Sequence, residues 1–175
     1  PKPLLAWGHG IVMGGGLGLL MGASHRVVTG STRMAMPEIN IGLYPDVGAS
    51  FFLNQLQQGL GLFLGITGCE WNGTDAIALG MADYLLDDDC KDQLPTMLAK
   101  QSWSDNADKN HETMSQCLQS LPPAAVLPQF TPHINTIAAA CSGSLKHATT
   151  ALQSLSINEA WFERALENLT HGCPV

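Results

Sequence analysis

Residues 36–48 read Met-Pro-Glu-Ile-Asn-Ile-Gly-Leu-Tyr-Pro-Asp-Val-Gly, and they contain two carboxylates, Glu38 and Asp46, among apolar neighbours. Each carboxylate follows a proline, which stiffens the local backbone. Because an apolar environment raises the pKa of a carboxyl group, two such residues can divide the roles of acid and base. The alternative is structural, with Glu38 capping a helix and Asp46 facing solvent. The stretch alone does not separate these interpretations.

The composition predicts one globular domain. The chain has 175 residues, of which 45% are hydrophobic and 13% are charged, so disorder of the whole chain is excluded. The net charge of −7 argues against a nucleic-acid partner, which would require clustered Lys and Arg. The five cysteines show no CxxC spacing and the six histidines no HExxH spacing, so we predict neither a disulfide framework nor a metal site.

A glycine cluster, residues 14–18, lies between a buried strand predicted within residues 4–12 and a predicted helix. A dinucleotide-binding loop is disfavoured because Leu19 stands where the third glycine of GxGxxG belongs, and no Gly-Lys-Ser/Thr sequence completes a phosphate-binding loop. Two uses remain open: an oxyanion hole built from an exposed N–H at the helix N-terminus, or close packing alone. His9 and the glycines also disfavour a membrane-spanning helix over residues 4–23.

The chain beyond the cluster alternates predicted strands and helices. Strands are predicted at residues 25–28, 32–36 and 81–86, and helices at residues 47–56, 59–68 and 73–79. The glycines in residues 59–68 predict a helix packed closely against another element. The acidic run of residues 87–89 is expected to be solvated and to precede a helix over residues 90–100.

The composition changes near Gln101, after which we predict a helical region extending to residue 175. Residues 156–159, Ser-Ile-Asn-Glu, match a capping box that would open the last helix. Trp161, Phe162, Ala165, Leu166 and Leu169 then fall on one helical stripe, which we interpret as core, and Gly172 and Pro174 would end the helix.

Three motifs together resemble the crotonase (enoyl-CoA hydratase/isomerase) superfamily. They are the His9-Gly10 pair with the glycine cluster, Met36-Pro37-Glu38, and the Ile41-Gly42-Leu43 segment that leads into Pro45-Asp46-Val47-Gly48. The glycine and aspartate pattern of residues 67–83 is similar to the segment that follows in the same superfamily. Within it, the Pro-Asp-Val-Gly motif and the helical tail most resemble the hydrolases of 3-hydroxyisobutyryl-CoA. The resemblance is strong over residues 4–86 and thinner over residues 100–175.

The resemblance implies an α/β fold built as a spiral of ββα units. Residues 1–100 would form the C-terminal part of this crotonase-like core, and residues 101–175 a helical C-terminal region. The earlier ββα units, including the first donor of the oxyanion hole, are expected to precede Pro1.

The resemblance also implies an acyl-CoA substrate whose thioester oxygen is held by two backbone N–H groups. Gly15 matches the residue whose N–H is the second of these donors, and its neighbour Gly14 is expected to bind the substrate. Glu38 matches the base or nucleophile, and Asp46 the partner carboxylate of the hydrolases. No cofactor is expected beyond the coenzyme A of the substrate, and a homo-oligomer is left open. The location would be cytoplasmic in a bacterium and mitochondrial in a eukaryote.

One departure narrows the expected chemistry. The second catalytic Glu of the hydratases falls two residues after the glycine triplet, where this chain has Gly18. Addition of water to an enoyl group by two glutamates is thereby disfavoured, and thioester hydrolysis, here of a short 3-hydroxyacyl-CoA, is favoured. A proton shift of the isomerase type using Asp46 stays open, as does a non-catalytic protein that binds acyl-CoA.

Overall fold

The computed structural model describes residues 2–172. Pro174, predicted to help end the last helix, lies outside the described residues. The strands are β1 (Leu5–Gly8), β2 (Ile11–Met13), β3 (His25–Thr29), β4 (Arg33–Ala35), β5 (Trp71–Asn72) and β6 (Tyr84–Leu86). The helices are α1 (Gly15–Met21), α2 (Ala49–Leu53), α3 (Leu60–Thr67), α4 (Gly73–Ala78), α5 (Leu94–Ala99), α6 (Ala107–Gln119), α7 (Ile134–Ala140), α8 (Leu145–Gln153) and α9 (Ala160–His171). Short 3-10 turns occupy Glu38–Ile41, Asp88–Asp92 and Thr131–His133.

The strands stack as successive turns of a spiral. Strand β1 pairs in parallel with β3, and β3 with β6, while β2 pairs in parallel with β4, whose other edge pairs antiparallel with β5. The first strand of one ββα unit thus lies on the first strand of the next, and the second on the second. The predicted α/β spiral is confirmed. The strand predicted within residues 4–12 is β1, and Gly10, with a φ of +59°, lies in the turn that follows it. The second short strand, β2, was not predicted.

The larger of two hydrophobic clusters joins the ββα units to helices α7, α8 and α9. Its largest fully buried side chains include Phe63 of α3, Trp71 of β5, Phe130, and Phe162 of α9. The stripe predicted on the last helix packs against this core, with Phe162 and Ala165 buried. Burial on this scale stabilises the fold by about 1.5–3 kcal/mol per large apolar side chain. The proposed division at residue 100 stays a prediction about domains.

Asp75 of α4 connects the core to the following segment. Its side chain is fully buried and accepts hydrogen bonds from the N–H groups of Gln129 and Thr131 and from the Thr131 hydroxyl. It also forms a capping box with Asn72, as the predicted capped helix requires. Every oxygen of this buried carboxylate is therefore hydrogen-bonded, which is the usual condition for burying a charge.

The close packing predicted for residues 59–68 is confirmed. A side chain at Gly61 of α3 would overlap the backbone of Leu53, and one at Gly59 would lie 2.5 Å from the carbonyl oxygen of Ala138. The predicted helix over residues 47–56 is shorter than expected. It starts at Ala49 because Val47 and Gly48 both have positive φ values, which no α-helix accommodates.

The acidic run of residues 87–89 is exposed, as predicted. Asp88 in addition accepts hydrogen bonds from the hydroxyls of Thr29 and Ser31 at the end of β3. The predicted start of the helix over residues 90–100 is wrong, because Asp88–Asp92 form a 3-10 turn and α5 begins only at Leu94.

The predicted capping box of residues 156–159 is also absent. No side chain caps α9, because the Glu159 carboxylate instead accepts from the Trp161 indole N–H and contacts Nε2 of His133. Within residues 2–172, no helix is both long enough and apolar enough to cross a membrane.

Candidate active site

Glu38 is positioned by β4, whose last two residues are buried. Met34 and Ala35 of β4, and Met36 after it, have no exposed surface, and Pro37 then starts the 3-10 turn whose first residue is Glu38. Burying apolar side chains on both faces holds this segment rigidly within the core. The carboxylate is therefore delivered by a fixed backbone rather than by a mobile loop.

The Glu38 side chain is buried without full hydrogen bonding. It is 6% exposed, and its Oε2 atom has no hydrogen-bond partner among residues 2–172. Burial raises the pKa of this carboxyl group above its ordinary value, and the charge of Asp46 raises it further, against a lowering effect of the Glu38 backbone N–H. A buried carboxylate with a free oxygen and a raised pKa is suited to act as a base or nucleophile.

The glycine cluster faces this carboxylate. Gly14 has a φ of +50°, and its N–H donates to the carbonyl oxygen of Ala35 over 3.3 Å. A Cβ atom at Gly14 would lie 3.0 Å from Oε1 of Glu38, so the glycine lets the backbone approach the carboxylate closely. The predicted site residues Gly14 and Glu38 are thus brought together.

Gly15 is the first residue of helix α1. No side chain caps this end of the helix, no acidic residue lies in its first turn, and Gly15 itself is exposed. A Cβ atom at Gly15 would meet nothing within 4 Å. The first N–H groups of an uncapped helix carry partial positive charge and lack intrahelical partners, so they can donate to an oxygen that gains negative charge.

Asp46 lies on an exposed loop between Gly42 and α2. Its carbonyl oxygen accepts from the N–H of Ala49, but its side chain makes no hydrogen bond or ion pair to any described residue. The N-cap of α2 is Gly48, and no side chain caps this helix, so Asp46 is not a capping residue. Asp46 does act on Glu38 through its charge. The charge of Asp46 therefore contributes to the raised pKa of Glu38.

Val47 was not singled out from the sequence. It is the only residue other than glycine with a positive φ, +45°, within residues 2–172. A β-branched residue in this region is a rare outlier, and such backbone strain costs about 1–3 kcal/mol. No pattern in the sequence signals it, because valine ordinarily avoids this conformation.

Gly18 of α1 lies directly beneath Val47. A Cβ atom at Gly18 would come within 2.7 Å of both Cβ and Cγ2 of Val47. Real Cβ atoms essentially never approach so closely, so position 18 has no room for a side chain while the loop keeps this shape. The space in which the resemblance expects a hydratase glutamate is therefore filled by Val47.

The loop that carries Asp46 presents an apolar surface. Ile41, Leu43, Tyr44, Val47 and Phe51 are all exposed by at least 44%. Contiguous exposed apolar surface of this kind is typical of a binding region. Behind the loop, a cavity of about 450 Å³ is bounded by Pro45, by Ile66 of α3 and by Leu169 of α9.

Other nucleophiles and metal ligands are less suited to chemistry. Burial raises the thiol pKa of the described cysteines, Cys141 for example to about 11, so none is a ready thiolate at neutral pH. Residues 2–172 contain no group of three or more His, Cys, Asp or Glu side chains that could hold a metal ion.

Curated relatives match about half of the chain. The mitochondrial 3-hydroxyisobutyryl-CoA hydrolase of Danio rerio is 48% identical over 85 residues, which are 49% of this chain and 22% of the relative. The same enzyme of Homo sapiens is 48% identical over 86 residues, again 49% and 22% of the two chains. A probable 3-hydroxyisobutyryl-CoA hydrolase of Arabidopsis thaliana is 39% identical over 104 residues, 59% of this chain and 28% of the relative. The matched segment thus spans less than a third of each relative.

Solved structures match nearly the whole chain. An enoyl-CoA hydratase from Rhodobacter sphaeroides superposes with a TM-score of 0.76 at 28% identity, covering 98% of this chain and 46% of that one. A carnitinyl-CoA dehydratase from Mycobacterium thermoresistibile gives a TM-score of 0.80 at 28% identity, covering 98% and 47%. The chain spans about half the length of these structures.

A family model described as enoyl-CoA hydratase/isomerase matches residues 1–175. This match covers the strand that delivers Glu38, the glycine cluster and the helical tail alike. The chain therefore belongs to the enoyl-CoA hydratase/isomerase family of the crotonase superfamily.

Proposed function

We propose that this chain carries the catalytic carboxylates of an enzyme that hydrolyses a short 3-hydroxyacyl-CoA thioester. The substrate we propose is 3-hydroxyisobutyryl-CoA, an intermediate of valine breakdown, because the curated relatives of Danio rerio and Homo sapiens are named for its hydrolysis. The observation that carries the proposal is the buried Glu38 carboxylate, with one oxygen lacking a partner and the other against Gly14.

Gly15 and Glu38 have different parts in the proposed hydrolysis. The Gly15 N–H donates to the thioester oxygen as it becomes an oxyanion, and one such donor accounts for about a 10²–10³-fold rate effect. Glu38 attacks the carbonyl carbon to give an anhydride that water then opens, or it removes a proton from an attacking water. In both routes the C–S bond breaks, the thiolate takes up a proton, and Glu38 returns to a carboxylate.

Asp46 is the proposed partner carboxylate. Its side chain is exposed and unpaired within the described residues, so it is free to orient the substrate hydroxyl or to relay a proton from water to the leaving thiolate. Its charge also raises the pKa of Glu38, which keeps that group poised nearer to neutral pH.

The filled space at position 18 favours hydrolysis over hydration. A second glutamate at this position would collide with Val47, so the two-glutamate route is sterically closed in this loop conformation. The exposed apolar residues around Asp46 suit an acyl-CoA partner. A mitochondrial location would follow in a eukaryote, as for the human relative, and a cytoplasmic location in a bacterium.

The test is a substrate comparison in the native protein. We expect 3-hydroxyisobutyryl-CoA to release free thiol, and crotonyl-CoA to show no loss of enoyl absorbance. Glu38→Gln should abolish thiol release, while Glu163→Gln, at an exposed position of α9, should leave it unchanged.

Two other outcomes point to other functions. Loss of enoyl absorbance without thiol release would indicate a hydratase or isomerase. Binding of both esters without turnover above the Glu38→Gln background would indicate a non-catalytic acyl-CoA-binding protein.

A further inference from the structure

The strained residue Val47 lies beside a candidate catalytic group. It directly follows Asp46, and its φ of +45° is followed by a φ of +84° at Gly48. These two left-handed residues turn the chain sharply between Asp46 and α2. A strained conformation persists only where its surroundings hold it in place, and such strain concentrates at functional sites.

Helix α1 provides that support. The contact at Gly18 involves the main chain of Val47 as well as its side chain, since a Cβ atom at Gly18 would also lie 2.9 Å from the Val47 carbonyl oxygen. A change of rotamer therefore cannot relieve a side chain at position 18. Only movement of the loop backbone can do so, and Asp46 is part of that backbone.

The same helix also carries the oxyanion donor. The N–H of Gly18 donates to the carbonyl oxygen of Gly14 over 3.1 Å, so Gly18 lies in the same helical turn as Gly15. Gly14 in turn lies next to Glu38, since a Cβ atom built on it would be 3.0 Å from Oε1 of that residue. One short helical turn thus lies beside Glu38 at one end and beside the loop of Asp46 at the other.

We propose that Gly18 is a positioning residue, which seats Val47 on helix α1 and thereby fixes Asp46 relative to Glu38 and the Gly15 N–H. This inference rests on the proposed function, because it assigns Gly18 a role in that same site. It also explains why residue 18 is a glycine although its neighbours, Leu17 and Leu19, have large side chains. The alternative is that Gly18 serves close packing alone, with no effect specific to Asp46.

The experiment is a double-mutant cycle in the native protein. Gly18→Ala should lower kcat for thioester hydrolysis by about 10–100-fold, because a misplacement of about 1 Å has effects of this size. KM should change by less than about threefold, since substrate binding draws on the remaining contacts. In the Asp46→Asn background, Gly18→Ala should lower kcat no further, since its effect acts through Asp46.

Gly22→Ala is the matched control. It makes the same substitution at the end of the same helix, and its Cβ atom would make ordinary 3.6 Å contacts with Gly18 and Leu19 carbonyl oxygens. We expect it to leave kcat and KM unchanged. If Gly18→Ala fails to fold, Val47→Gly provides the second test, because it removes the side chain seated on Gly18 while allowing the positive φ. It too should lower kcat in the wild type and have no effect in Asp46→Asn.

Three results would overturn the inference. They are full kcat in Gly18→Ala, an equal loss in Gly22→Ala, or a loss in Gly18→Ala that simply multiplies that of Asp46→Asn. None of these touches the proposed function, which fails instead if the unaltered protein releases no thiol.

Discussion

Asp75 and Glu38 are both buried carboxylates, but they differ in hydrogen bonding. Asp75 is fully buried and accepts hydrogen bonds from Asn72, Gln129 and Thr131, so its charge is compensated by N–H and O–H donors. Glu38 is nearly as buried, yet Oε2 has no partner within the described chain, and the charge of Asp46 raises its pKa. Burial alone therefore does not identify a reactive group. The proposed role of Glu38 rests on its uncompensated oxygen, which Asp75 does not have.

Glu38→Gln should show the largest effect on catalysis. We expect kcat for thioester hydrolysis to fall by about 10²–10⁴-fold, because the base or nucleophile is lost. The same substitution should increase the free energy of unfolding. The raised pKa means that the folded state favours the neutral carboxyl, so its stabilising effect is present at low pH and is lost as the pH rises through the folded-state pKa.

At pH 7 the neutral glutamine should therefore raise the free energy of unfolding by on the order of 1 kcal/mol. Urea denaturation at pH 7 and pH 4 measures this, and the gain should shrink at pH 4. A clear loss of stability at pH 7 would mean that Glu38 is a structural carboxylate like Asp75.

Asp75→Asn should show the largest effect on stability. The amide leaves buried N–H donors of Gln129 and Thr131 facing another donor, so we expect the free energy of unfolding to fall by about 2–4 kcal/mol. Asp105→Asn, at an exposed position, serves as the control in the same denaturation series. An unchanged midpoint in Asp75→Asn would remove the contrast between the two carboxylates.

Asp46→Asn should change the pH dependence of the reaction. In the proposed mechanism Glu38 acts in its ionised form, so the rate should fall as the pH drops through the pKa of that group. Removing the Asp46 charge should lower this pKa and shift the acid limb of kcat/KM toward lower pH. Glu163→Gln makes the same change in net charge and should not shift the limb. If the acid limb of kcat/KM does not shift in Asp46→Asn, the charge of Asp46 does not affect the ionisation of Glu38.

The buried base His25 adds a third case to this comparison. Its substitution should have the smallest effect, and that effect is on the pH dependence of stability. Its ring contacts the hydroxyls of Ser24 and Ser115 and the carbonyl oxygen of His111, which joins β3 to α6. Burial lowers the pKa of His25 below the ordinary histidine value of 6.5, so the unfolded chain binds the proton more tightly. Stability should therefore fall as the pH drops through 6.5.

His25→Gln should flatten this pH dependence between about pH 7.5 and 5.5, the range around the ordinary histidine pKa. Urea denaturation at the two pH values compares it with His147→Gln, at an exposed position of α8. An unchanged slope in His25→Gln would show that other groups account for the acid sensitivity.

Local patterns predicted the parts of this molecule that depend on neighbouring residues. The glycine-opened helix α1, the extended segment before Glu38 and the capped helix α4 all follow from backbone preferences and apolar periodicity. The resemblance added Gly15, Glu38 and Asp46 as a set, and their catalytic roles stay predictions. The structure places Gly14 against Glu38 and Asp46 within its electrostatic reach.

Contacts between distant parts of the chain could not be predicted. Val47 combines a positive φ with a position directly against Gly18 of α1, and no local pattern encodes that pairing. Glu159 matched a capping box, but Trp161 and His133 compete for its carboxylate. Such outcomes depend on tertiary neighbours that single-sequence patterns do not contain.

The hydrogen bond between Asn168 and Thr67 has a consequence for refolding. The Asn168 amide on α9 donates to the Thr67 carbonyl oxygen at the end of α3, and the two residues are 101 positions apart. Closing so long a loop costs more entropy than the short connections of the ββα units. We therefore expect a refolding chain to form the spiral and its carboxylates first and to dock α9 last, so that the apolar face of α9 is the surface most exposed to misassembly along the way.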